Sequence, residues 1–306
     1  MNKTTIITGG AGFIGSTLAD KLLKLNHNVI IVDDLSTGQL KNIPKHTKFI
    51  AMDIGQFTSL RKLTQLFRER SVDYIFHCAS IPRTQYSVEH PVECNQANVN
   101  GTLNILEAVR LCGHDVKKII HSSSCGVYGQ QDIMPIKEDA SINMGTPYSV
   151  QKYMQELYMK MYSELYNVST IMLRYFNVYG SKRQSEEGSY PNVLAAFSRQ
   201  KKENNEIYIT GDGTQTRDMI HVDDVVEANI LAMKSKFKKG EVFNIGTSDF
   251  LSINQVAKYF NCPIKYISVR PGEAKDLVCD NSKAKEQLKW FPKISFKEGI
   301  QKYFNS

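Results

Sequence analysis

The sequence predicts an α/β protein built on a doubly wound parallel sheet, with a smaller C-terminal α/β lobe. Three observations carry this expectation. A short β-branched run at the start of the chain, Thr4-Thr5-Ile6-Ile7-Thr8, leads straight into a glycine-rich turn. Further short apolar runs follow at 28–32, 48–52, 74–78, 117–122 and 170–174, with segments of helical character between them. Apolar strands alternating with helices mean a parallel sheet covered on both faces.

The first strand ends in Gly9-Gly10-Ala11-Gly12-Phe13-Ile14-Gly15, which opens a helix expected to run to about Leu25. Glycines at 9, 12 and 15 spell G-x-x-G-x-x-G, a variant of the fingerprint of Rossmann-type dinucleotide-binding folds. Gly9 permits the tight turn, Gly12 lets a pyrophosphate approach the helix N-terminus, and Gly15 lets helix and strand pack closely. The position between a strand and a helix is the context that gives the pattern meaning. The second strand ends at Asp33-Asp34, some twenty residues past the glycines. An acid there accepts hydrogen bonds from the adenosine ribose and repels a 2′-phosphate, so Asp33 argues for NAD over NADP. Asp53 and Ile54, after the third strand, fall where an adenine edge passes. The fourth strand runs into His77-Cys78-Ala79-Ser80, small residues beside the expected cofactor path, with His77 read as a packed strand-end residue.

Beyond Arg174 regular β-α units give way to short strands, loops and tight turns such as Gly211-Asp212-Gly213 and Arg270-Pro271-Gly272. This C-terminal part is the natural place for substrate selection. The chain has 306 residues, enough for two lobes sharing a cleft, and a net charge of +7 that is spread along its length. Diffuse charge of this kind reads as solvated surface that suits an anionic ligand, not as a nucleic-acid face. The six cysteines show no metal-binding spacing and read as free thiols of a reducing cytoplasm. No apolar run approaches bilayer-spanning length, so no membrane association is expected.

Ser122-Ser123-Ser124-Cys125-Gly126-Val127-Tyr128-Gly129 closes the fifth strand, and Tyr148-Ser149-Val150-Gln151-Lys152 follows nineteen residues later. Tyr148 and Lys152 lie one helical turn apart, on one face. A free phenol, with a pKa near 10, is a poor base at neutral pH. A neighbouring ammonium, together with an oxidised nicotinamide, favours the phenolate, so the pair reads as a tuned general base. Ser124 faces the same point as a hydrogen-bond partner for the substrate oxygen.

These motifs, together with Asn98-Val99-Asn100-Gly101-Thr102, Leu173 to Gly180, Gly211 to Asp218, Asn244-Ile245-Gly246 and Arg270-Pro271-Gly272-Glu273, stand in the order found in one family. The chain resembles the extended short-chain dehydrogenases/reductases, in the branch of NAD-dependent nucleotide-sugar epimerases and dehydratases, and most closely the UDP-hexose 4-epimerases. The resemblance implies Tyr148 as base, Lys152 as its electrostatic partner and ribose ligand, and Ser124 as third member. It implies further NAD contacts from Phe13, Ile14, Asp34, Ser36, Thr37 and Gly38, and from Cys78, Ala79, Ser80, Asn98, Ser122 and Tyr175. On the substrate side it implies Arg83, Asn177 and Val193, the diphosphate clamp Arg217 and Arg270, Glu273 on a nucleotide ribose, and Leu277 near the sugar. Guanidinium forks suit diphosphate oxygens on physical grounds as well. The implied division is an NAD-binding domain at 1–176 and a nucleotide-sugar domain at 177–306, with part of 218–240 packed back on the first.

Related dehydratases and decarboxylases carry an acid in the loop that here reads Cys125-Gly126, and its absence favours simple epimerisation at C4 of UDP-glucose and UDP-galactose. The N-acetylated pair, and a dehydratase or decarboxylase on the same scaffold, are the alternatives. The residues Tyr153, Leu157, Met161 and Leu165, at helical spacing, fit either core packing or an outward dimer face. The resemblance implies a homodimer.

Overall fold

The computed structural model describes residues 2–180, 183–184, 192–269 and 274–305. The chain runs β1 (Thr4–Thr8), α1 (Phe13–Lys24), β2 (Asn28–Asp33), β3 (Lys48–Ala51), α2 (Ser59–Arg70), β4 (Tyr74–His77), α3 (Thr84–Glu89), α4 (Pro91–Asn95), α5 (Gly101–Leu111), β5 (Lys118–Ser124), α6 (Pro147–Leu165) and β6 (Thr170–Tyr175). It continues through β7 (Asn177–Tyr179), α7 (Val193–Asn204), β8 (Ile207–Thr210), β9 (Thr216–Arg217), β10 (Met219–His221), α8 (Val222–Lys234), β11 (Lys239–Ile245), β12 (Leu251–Ser252), α9 (Ile253–Lys258), β13 (Ile264–Ile267), β14 (Asp276–Leu277) and α10 (Phe296–Asn305).

The main sheet has seven parallel strands in the order β11-β6-β5-β4-β1-β2-β3. The order reverses between β1 and β4, the crevice where doubly wound sheets bind ligands at the carboxyl ends of their strands. All six expected strands are present, with ends shifted by a residue or two. The shift at β5 brings Ser124 into the strand itself. The seventh strand, β11, had no counterpart among the six. Gly240 sits in it at a left-handed φ of 71° with a bulge between Lys239 and Glu241, so its apolar pattern is interrupted.

Both faces of the sheet are covered. On one face Leu18 and Leu22 of α1 pack with Val225, Val226 and Met233 of α8 and with Trp290. On the other, Leu63 and Phe67 of α2, Ile105 and Leu106 of α5 and Met159 of α6 form a second core. Residues after 217 therefore return to the first layer, and the Trp290 indole fixes the return by donating to the Asp224 carbonyl at 2.9 Å. The remaining C-terminal elements bury their own core around Phe197, Ile209 and Phe260. Cys125, Tyr128, Phe176 and Cys279 fill the junction of the two lobes.

Helix α6 is held to the strand ends by a buried ion pair. Arg174 of β6 forks onto Glu156, with Nε–Oε1 at 2.9 Å and Nη2–Oε2 at 2.6 Å, and Ser123 donates to the same carboxylate. His77 is buried, with its two ring nitrogens bonded to Thr8 and Thr102. It is a packed strand-end residue.

Candidate active site

A cleft of about 670 Å³ lies along the carboxyl ends of the strands and extends between the lobes. Its floor begins with the glycine turn. Gly9 adopts φ 71°, and a Cβ there would sit 2.6 Å from the Ala79 nitrogen. A Cβ on Gly15 would lie 2.3 Å from the Gly9 carbonyl oxygen, so turn and helix can pack this closely only without one. Gly12 is the N-cap of α1, and no side chain caps that end. The first N–H groups of the helix thus point at the cleft with partial positive charge and no protein acceptor.

At the neighbouring strand end the Asp33 carboxylate accepts from Ala11 N at 2.9 Å and Leu35 N at 2.8 Å. Each oxygen keeps a further lone pair for a ribose hydroxyl. Asp34 holds Ser36 through its backbone and hydroxyl, and Asp53 holds Gly55 N at 2.8 Å. Phe13, Ile14, Asp34, Ser36, Thr37, Asp53, Ile54, Cys78, Ala79 and Ser80 all line the cleft. Gly38 and Asn98 stand outside this lining. Gly38 backs onto Asp33 and Ala11, where a Cβ would meet Asp33 Oδ1 at 2.8 Å. Asn98 is buried, its Oδ1 accepting from Ser80 Oγ at 2.9 Å and Ile81 N at 2.7 Å. Asn98 thus acts on the wall through Ser80 and Ile81, and Gly38 is partly exposed beside Asp33.

The candidate catalytic groups converge at the far end of the floor. Lys152 Nζ donates to the Ser122 carbonyl at 2.9 Å and lies 5.8 Å from the centre of the Tyr148 ring. Ser122 Oγ bonds Cys78 Sγ and the Tyr175 hydroxyl, and Asn229 supports Tyr175 from α8. Ser124 Oγ accepts from Gly126 N at 3.1 Å, which directs its proton outward, toward the side of the Tyr148 phenol, whose ionisation it favours.

Burial opposes ionisation of the phenol and protonation of the amine alike. Burial pushes the Tyr148 phenol up to about 12, against the Ser124 hydrogen bond, which lowers it. Burial also pulls the Lys152 ammonium down to about 8, although Cys78 and Glu156 raise it. The protein alone holds a neutral phenol beside a marginal ammonium, since removing either charge from water costs more than the partner 5.8 Å away returns.

Opposite the glycine turn, the second lobe supplies Asn177, Val193, Arg217 and Leu277 to the cleft, and the loop before α3 supplies Arg83. Arg217 and Leu277 are register partners on the paired strands β9 and β14. Arg217 Nη1 donates to the carbonyls of Thr216 and Lys275, at 2.8 and 2.9 Å. Asn177 Nδ2 donates to the Asp218 carbonyl, and the buried Asp218 carboxylate accepts from Thr247, Ser248 and Cys279. Arg270 and Glu273 lie outside the described residues. Cys125 lines the cleft beside Gly126, and burial raises its thiol to about 12.

The family model of the NAD dependent epimerase/dehydratase family matches residues 5–246. The chain belongs to this family. It is similar to the UDP-glucose 4-epimerase of Mycolicibacterium smegmatis, with 36% identity over 97% of this chain and 96% of that protein. Among solved structures, that of a UDP-glucose 4-epimerase from Thermotoga maritima with UDP-glucose superposes with a TM-score of 0.92. It is 36% identical and covers 99% of this chain and 98% of that one. A UDP-N-acetylglucosamine 4-epimerase from Methanobrevibacter ruminantium in complex with UDP-N-acetylmuramic acid superposes with a TM-score of 0.91, at 31% identity over 99% of this chain and 97% of that one.

The cofactor of this NAD-dependent epimerase fold fits the cleft on three observations. The uncapped N-terminus of α1 suits a pyrophosphate, Gly12 leaves room for its approach, and Asp33 has acceptor capacity for ribose hydroxyls. Sequence reasoning missed other lining residues, notably Gln39 and Asn42 near the dinucleotide end and Gln200, Tyr208 and Gln215 in the second lobe. Tyr208 had a signal. It alternates with buried residues in β8 and shares the half-buried face of Thr210.

Proposed function

We propose that the protein interconverts UDP-glucose and UDP-galactose by epimerisation at C4. The observation that carries this reading is the meeting of Ser124, Tyr148 and Lys152 at one point of the cleft, beside a Cys125-Gly126 turn that offers no acid. Expulsion of a hydroxyl or carboxyl group needs such an acid or base, whereas epimerisation needs a single proton to leave and return.

Bound NAD supplies a two-electron acceptor that gives back what it takes, so no cofactor is consumed. The protein's own groups do the rest. Ser124 donates its one proton toward the sugar oxygen or the phenolate oxygen, and Tyr148, as the phenolate that Lys152 and the oxidised cofactor favour, receives the 4-hydroxyl proton and returns it. Lys152 contributes positive charge and a donor for a ribose hydroxyl. Arg217 and Asn177, with Arg270 outside the described residues, hold the diphosphate while the sugar turns over. Glu273 takes a nucleotide ribose hydroxyl, and Arg83, Val193 and Leu277 face the sugar end.

Support for the N-acetylated pair as a second reading comes from the similarity to a UDP-N-acetylglucosamine 4-epimerase. An NMR assay with all four UDP-sugars and no added NAD separates the two. Turnover of the plain pair alone supports the first reading, and turnover of the acetylated pair alone replaces it. Tyr148→Phe is expected to lower the rate at least 1,000-fold, or about 4 kcal/mol of barrier. A near-normal rate in that variant removes Tyr148 as base.

We take residues 1–176 as the NAD domain and 177–306 as the sugar-nucleotide domain. A homodimer in the cytoplasm completes the proposal. Val150, Leu157 and Leu165 stand exposed along α6, Leu157 at 50%, and a second copy would cover them.

A further inference from the structure

The N-terminus of α6 carries the candidate base in its first turn, and one donor there is satisfied from outside the helix. Thr146 is the N-cap and forms a reciprocal capping box with Ser149. Pro147 has no N–H, the Ser149 N–H is taken by Thr146 Oγ1, and the Val150 N–H by the Thr146 carbonyl. That leaves the N–H of Tyr148, one of the orphan donors that every helix start carries. It donates to Ser87 Oγ at 3.0 Å. Ser87 is fully buried in α3, and its own proton goes to the Thr84 carbonyl at 2.6 Å. With proton and acceptor both committed, the hydroxyl has one orientation.

Helix α3 directly follows the loop Ser80 to Arg83, and the cleft wall continues into Thr84 and Gln85. A second tie runs parallel. Asn98 accepts from Ile81 N and donates to Gln151 Oε1 at 2.8 Å, one turn along α6 from Pro147. The wall that would face the sugar is thus bonded to the backbone of Tyr148 itself.

We propose that Ser87 is a positioning residue, which transmits the placement of the sugar-facing wall to the Tyr148 backbone and so sets the phenol against Ser124. This rests on Tyr148 being the base of the proposed epimerisation. Loss of the Ser87 hydroxyl frees the first turn of α6 and loosens the phenol from its Ser124 donor, which disfavours the phenolate.

The test compares Ser87→Ala, and Ser87→Cys, which keeps the volume but is a weak acceptor. Rates over pH 5–10 are measured on the NAD-bound protein alongside Tyr148→Phe. In both Ser87 variants kcat is expected to fall roughly 10-fold with KM changed less than about twofold. The acid limb of kcat should move up by about half a pH unit or more. Should Ser87→Ala fail to fold, Ser87→Cys alone reads the effect. Wild-type kcat and an unmoved acid limb in a folded variant, with Tyr148→Phe inactive, overturn the proposal and leave the base assignment standing. An active Tyr148→Phe overturns the assignment itself.

Discussion

Tyr148 sits in a pocket that opposes its own ionisation, and Lys152 in one that opposes its charge. Both effects come from burial, so they belong to residues and can be tested as such. The unfolded chain keeps the Lys152 proton to about its ordinary 10.5, and the folded protein releases it near 8. Between those values the unfolded state binds more protons, so stability rises with pH across that window and is reduced below it. The cost at neutral pH is up to about 3 kcal/mol. Lys152→Met is therefore expected to be inactive yet more stable than the wild type in urea at pH 7. The gap should narrow between pH 8 and 10.5. A variant less stable at pH 7, with a gap insensitive to pH, contradicts a buried ammonium.

At the scale of elements, the β1–α1 turn separates a cofactor role from a folding role within one motif. A Cβ on Gly15 meets backbone at 2.3 Å, whereas Gly12 has a φ of −82° and its added Cβ makes one close contact, with the Gly9 carbonyl oxygen at 3.2 Å, that a small shift relieves. Gly15→Ala is expected to destabilise the protein by about 2 kcal/mol or more. Gly12→Ala should change stability by under about 1 kcal/mol and lower NAD retention instead, because its methyl enters the cofactor's space. Denaturation curves and the absorbance of released NAD distinguish the two. Equal losses of stability would mean that Gly12, too, serves only packing. Much of this was legible in the sequence, since the glycine spacing, the strand before it and Asp33 are all local. What was not legible was that the Asn98 side chain is buried behind Ser80 and Ile81, because a motif fixes order along the chain and not which face a side chain takes.

For the whole molecule, α6 divides the four residues whose helical spacing fits either core or interface: Leu157 and Leu165 are exposed, whereas Tyr153 and Met161 pack against buried clusters. Leu157 is half exposed while Met159 and Tyr162, on the opposite side of the helix, are buried. A Leu157→Glu protein is expected to sediment as a monomer if the wild type is a dimer through this face, with its fold unchanged by circular dichroism. An unchanged sedimentation coefficient in a dimeric protein places the interface elsewhere.

The sequence by itself determined the sheet, the glycine cradle, the acid after β2 and the Tyr148–Lys152 pair, because each follows from spacing within one or two elements. Only the tertiary structure decided that Trp290 locks α8 against the first layer through the Asp224 carbonyl, that Asp218 braces the strand end beside Arg217, and that the Tyr148 N–H is held by Ser87 sixty-one positions earlier. The reason is desolvation and long-range pairing. A residue's pKa and its hydrogen-bond partner depend on what burial brings beside it, and separation along the chain does not encode that.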